Sequence, residues 1–167
     1  MKHEVFPMPD HFEFRYPNAT GTKFKKGKNI HVPLVVGLIM IKFLRTNRAS
    51  IYLTFDKNGL DLMLNALKGQ EQDKSFQIEF DRSVLNHKKT KIESRKMIFV
   101  LDDEIDCSEL CDFEGTIIWR FNSEDLDEME YRFNECKKDG FFSPAEFISV
   151  HIPKDYGYDQ IYCQLVD

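Results

Sequence analysis

Seven carboxylates crowd into fifteen residues, LDDEIDCSELCDFEG, from Leu101 to Gly115. At that density they either hold a cation or present a negative surface. A calcium loop needs oxygen ligands at alternating positions, a glycine at the sixth and a glutamate at the twelfth. Counted from Asp102, the sixth residue is Cys107 and the twelfth is Phe113. Counted from Asp103, the twelfth is Glu114, but the third is Ile105. Neither frame holds, so the stretch reads as a solvated acidic connection between strands.

The other reactive types are scattered. Cys107 and Cys111 have three residues between them, while Cys136 and Cys163 stand alone. No second pair completes a zinc tetrahedron, and the thiols read as small buried side chains. His3, His11, His31, His87 and His151 form no signature with a nucleophile. The eight glycines do not cluster into a phosphate cradle. The sequence therefore predicts no catalytic residue, no metal site and no cofactor.

Charge is the most unusual global feature. The net value is −5, but residues 1–50 carry nine Lys/Arg against three Asp/Glu. From Leu101 to Glu135 there are thirteen Asp/Glu against Arg120 and Arg132. A helix over this second region points Glu124, Asp125, Asp127, Glu128, Glu130 and Glu135 outward. Glu124 and Asp125 suit a helix N-terminus, but Glu128, Glu130 and Glu135 have no such local reason. The basic half interleaves aromatics with cations in HFEFRYPNATGTKFKKGKNIHV, and NHKKTKIESRK adds a second basic cluster. Aromatics that stack on bases beside phosphate-neutralising lysines are the composition of a nucleic-acid site.

The elements that must position these groups show a doubled pattern. IYLTFDKNGLDLMLNALK, from Ile51 to Lys68, matches IIWRFNSEDLDEMEYRFN, from Ile117 to Asn134. In each, an alternating apolar strand face (Ile51, Leu53, Phe55; Ile117, Trp119, Phe121) leads into a helix. Asp56 or Asn58 can cap the first helix, and Asn122 or Ser123 the second. Leu60, Met63, Leu64 and Leu67 form one helical stripe; Leu126, Met129, Phe133 and Cys136 form the other. Gly69 and Gly140 are suited to end them. Alternation resumes at Phe76, Ile78 and Phe80, and again at Ile148, Val150 and Ile152. A strand within Leu34 to Phe43 precedes the first unit, and KMIFVL, Lys96 to Leu101, precedes the second.

The expected fold is α+β: a mixed β-sheet with two helices packed on one face, each helix crossing over to a strand parallel to the one before it. The chain reads as a single domain, residues 1–167, with repeat units of β-β-α-β form at 32–81 and 96–153. The run from Val32 to Leu44 is too short for a membrane span. With no secretory leader in view, a cytoplasmic protein with reduced thiols is expected. The functional expectation is a non-catalytic protein-binding module of inhibitor or immunity type, facing a basic protein such as a toxin or nuclease. The residues assigned to that contact are Asp102, Asp103, Glu104, Asp106, Glu109, Glu124, Asp125, Glu128, Glu130, Tyr131 and Glu135. A nucleic-acid-associated protein using the basic N-terminal half is the alternative. Oligomeric state is left open.

Overall fold

The computed structural model describes residues 39–46, 50–68, 74–88, 90–155 and 157–167. It also gives the backbone of two short antiparallel strands, β1 (His11–Phe14) and β2 (Thr22–Lys25). The basic, aromatic N-terminal stretch and Gly69 otherwise lie outside the described residues.

Eight further strands and two helices follow. They are β3 (Ile41–Arg45), β4 (Ile51–Phe55), α1 (Lys57–Lys68), β5 (Ser75–Asn86) and β6 (Lys91–Leu101). Then come β7 (Glu109–Phe113), β8 (Thr116–Phe121), α2 (Ser123–Asp139), β9 (Glu146–Ile152) and β10 (Gly157–Leu165). The short helical turn Pro153–Asp155 joins β9 to β10.

The strands close into a barrel in the order β10-β4-β3-β5-β6-β8-β7-β9, with β9 returning to β10. The pairings alternate strictly. Four antiparallel hairpins, β3–β4, β5–β6, β7–β8 and β9–β10, are joined by four parallel seams, β3–β5, β6–β8, β7–β9 and β4–β10. The expected open α+β sheet with two helices on one face therefore does not form. Its outermost strands would have left rows of unpaired amides; closure removes those edges.

Two smaller expectations change with it. β4 and β5 are not parallel neighbours, because β3 lies between them, antiparallel to β4 and parallel to β5. The strand at Lys96–Leu101 does not open a second unit; it is the end of β6, hairpinned onto β5. The strand before β8 is instead β7, inside the acidic stretch. The topological units are thus β-β-α-β-β, spanning 41–101 and 109–165. Exchanging one unit for the other leaves the circular strand order unchanged.

The local chemistry repeats with the topology. Asp56 Oδ1 accepts the Gly59 N–H at 2.6 Å, and Asn122 Oδ1 accepts the Asp125 N–H at 2.9 Å. Each satisfies one orphan amide at a helix N-terminus. Gly140 takes a left-handed φ of 80° and returns its N–H to the Cys136 carbonyl at 2.9 Å, closing α2. The helical stripes join the inward strand residues in one core. Trp119 bridges the interior, with ring centroids 5.9 Å from Phe43 and 5.6 Å from Phe99. A void of only 10 Å³ separates the helical residues Met63, Leu67, Met129 and Phe133 from the wall. Its lining is apolar, so no water has partners there.

Gly59 has a packing reason. A Cβ there would sit 2.6 Å from the Met40 carbonyl oxygen and 2.7 Å from Ile41 Cγ1. The same carbonyl accepts the Asp56 N–H at 3.0 Å, so α1 begins pressed against the entry to β3.

Candidate functional site

The acidic connection is more structured than its composition suggests. Of its apolar residues, Leu110 faces the core and Cys111 the outer wall, and together they give β7. The carboxylates around it divide into two groups. Asp102 is buried and ion-paired with Arg120 Nη2. Glu109 takes Arg120 Nη1 at 2.6 Å and lies 3.5 Å from His151 Nδ1. Burial alone would lower the Arg120 pKa; the Asp102 hydrogen bond and the charges of Asp102 and Glu109 more than reverse that. Asp103 accepts both the backbone N–H and the hydroxyl of Ser123, which holds its carboxyl below the ordinary range. Asp125 accepts the Ser108 hydroxyl at 2.6 Å. These four of the sequence-derived contact residues are used within the fold.

The second group faces solvent. Glu104, Asp106, Glu124, Asp127 and Glu128 are exposed. The loop carrying the first two is fastened to the start of α2 by Asp103 and by Asn122 Nδ2, which donates to the Ile105 carbonyl at 3.3 Å. Along α2, Glu124, Asp127, Glu128 and Tyr131 recur at helical spacing on the outward face, and Tyr131 is 61% exposed. Glu130 and Glu135 flank that stripe, half-buried. Among the described residues the ion pairs of α2 lie toward its C-terminal half: Arg132 reaches Glu128 at 3.4 Å, Lys138 reaches Glu135 at 3.7 Å, and Lys137 reaches Asp61 of α1 at 2.7 Å. Glu104, Asp106, Glu124, Asp127 and Glu130 have no ion-pair partner among the described residues. Asp127 belongs to this field although it was outside the expected contact set.

A second charged cluster was not anticipated. Arg45, inward on β3 and almost inaccessible, binds Asp155 Oδ2 and Asp159 Oδ2, each at 2.6 Å, and donates to the Asn86 carbonyl at 2.5 Å. Beside it, His87 Nε2 lies 3.1 Å from Asp112 Oδ1, and Lys154 Nζ reaches the same oxygen at 2.6 Å. His87 Nδ1 is buried with no described partner. Burial, the largest influence, lowers the His87 pKa; Asp112 and Asp155 pull it up and Lys154 pushes it down. The sequence did hold a signal: Ile41, Phe43 and Arg45 share one strand face, so alternation places a guanidinium among apolar neighbours.

Cys136 and Cys163 are poor nucleophiles. Burial pushes Cys136 up to about 11 and raises Cys163 well above its ordinary value. Among the described residues no three His, Cys, Asp or Glu side chains converge on a metal position. No described helix is long and apolar enough to cross a membrane. The second basic cluster lies on the β5–β6 hairpin, where Arg82 and Lys91 both pair with Glu93.

No family model, curated protein or solved structure matches this chain.

Proposed function

We propose that the chain is a non-catalytic protein-binding module that occludes a basic partner through the outward face of α2 and the loop before it. The carrying observation is the group of exposed carboxylates at Glu104, Asp106, Glu124, Asp127 and Glu128, of which only Glu128 has an ion-pair partner among the described residues. Such a field costs the fold some self-repulsion and speeds encounter with a cationic surface. Tyr131 supplies an aromatic anchor at its border, the residue type that concentrates binding energy at interface centres. An inhibitor or immunity-type role against a basic toxin or nuclease fits that chemistry.

The test is affinity capture from native lysate using wild type and a Glu124→Lys, Asp127→Lys, Glu128→Lys variant. The wild-type chain is expected to retain basic proteins, with association slowing as salt rises, and the variant to lose them. The same captured species on both chains would remove the proposal.

A further inference from the structure

One side of the barrel is apolar where it should meet water. Ile98 and Val100 on β6, Ile118 on β8 and Cys111 on β7 alternate with the residues that enter the core, and so lie on the outer wall. They form a cluster of their own, joined by Phe113, in which Ile118 is 1% and Val100 3% exposed. The stripes of α1 and α2 belong to the interior instead. In a single chain, an outer wall reaches such burial only beneath another part of that chain. Among the described residues, no apolar side chain beyond Phe113 packs on the cluster. The short stretches 47–49, 69–73, 89 and 156 supply only Ala49 and Tyr156 as apolar residues. Residues 1–38 are the one remaining source.

That segment carries a matching face. β1 and β2 pair with Phe12 opposite Phe24 and Glu13 opposite Lys23. Period-two alternation places Phe14 on the side of Phe12 and Phe24, and His11 and Lys25 on the side of Glu13 and Lys23. The hairpin therefore has one face of phenylalanines and one of charges. A two-stranded hairpin is marginal in water unless its apolar face is packed. The sizes agree. Each hairpin strand has four residues, about 13 Å long. The wall cluster runs about 13 Å along β8, from the level of Phe113 to that of Val100, and about 10 Å across three strands.

Reach and charge agree as well. The chain between Lys25 and Ile39 spans up to about 46 Å when extended. From β3 around β5 and β6 to β8 is about 14 Å. Residues 1–38 carry a net charge of +3 and the remainder −8, so the two attract. We propose that the β1–β2 hairpin is a flap belonging to this chain, laid with Phe12, Phe14 and Phe24 against the outer wall of β6, β8 and β7. Two sheets packed face to face in this way bury both apolar surfaces and leave Glu13, Lys23 and Lys25 in water. The flap closes this wall to other proteins. The inference is independent of the α2 surface.

Nuclear Overhauser spectra of the full chain read the contact directly. Cross-peaks are expected from the rings of Phe12, Phe14 and Phe24 to the methyls of Ile98, Val100 and Ile118. In a mixture of isotope-labelled and unlabelled chains they should remain within one copy. Cys111 gives a second readout. In a Cys107→Ser background the remaining thiols are buried, and Cys111 should react slowly with N-ethylmaleimide. Phe12→Ser with Phe24→Ser should speed its labelling at least about tenfold, mapped by mass spectrometry, while Cys136 and Cys163 stay protected. Glu13→Ser, on the charged face, should leave the rate unchanged. Missing cross-peaks, cross-peaks only between copies, or a Cys111 rate indifferent to both phenylalanines would each overturn the assignment.

Discussion

Replacing Arg45 with methionine tests the charged cluster most sharply. Methionine keeps the length of the side chain and removes the guanidinium shared by Asp155 and Asp159. Both carboxylates then stay largely buried without their cation. Breaking a buried pair by removing one partner costs about 3–5 kcal/mol. A domain of this kind has about 5–15 kcal/mol in total. With a urea slope of about 2 kcal/mol/M, the unfolding midpoint at neutral pH should fall by about 2 M. The loss should depend on pH. In the wild-type chain, burial raises the Asp155 carboxyl, but hydrogen bonds from Arg45 and the Lys88 N–H, with the Arg45 charge, hold it below its ordinary value. Its stabilisation is therefore complete above the unfolded value and disappears as pH falls through the lower folded one. Without Arg45 burial prevails, the carboxyl protonates more readily, and the gap between variant and wild type narrows toward about pH 4. Adding Asp155→Asn and Asp159→Asn should recover much of the stability. A single-variant loss below about 1 kcal/mol, or a triple variant no more stable than the single, would refute the reasoning.

His87 adds a second acid limb, in the same direction, at milder acidity. Its pKa is lowered from 6.5, so the unfolded chain binds the proton first and stability should decline as pH drops below that value. His87→Gln should flatten this part of a stability profile measured by urea titration between about pH 5 and about pH 8. Gly59→Ala would gain about 1 kcal/mol of helix propensity in open solvent. Here the added methyl meets a backbone carbonyl at 2.6 Å, and overpacking of about 1–3 kcal/mol should prevail, lowering the thermal midpoint. A stabilised Gly59→Ala chain would mean that α1 and β3 are not in close contact.

What was legible in the sequence was whatever repeats within a few residues. The alternation of Ile117, Trp119 and Phe121 gave an inward strand face, and all three are buried. The stripes of both helices and the cap at Asn122 were readable for the same reason. Closure was not, because period-two alternation is identical in an open sheet and in a barrel wall. What distinguishes them is the pairing of β10 with β4, distant in sequence. β7 was hidden because its three apolar residues sit in a stretch of seven carboxylates, and its place depends on Leu110 meeting Trp119 across the hairpin. Among the candidate contact residues, composition could not separate Asp102, already held by Arg120, from Glu104, which is exposed. The division depends on where Arg120, Ser108 and Ser123 come to lie.

The β4–β10 seam also sets a timetable for synthesis. Ile51 waits for Ile161, about 110 residues further along the chain. At roughly 5–20 residues per second, β4 is made some 5–20 seconds before its parallel neighbour exists. Throughout that interval the edge of β4 that will pair with β10 has no partner strand. Crowded ribosomes making this chain would therefore be expected to depend on a holding chaperone, and slowing elongation should lower the soluble yield.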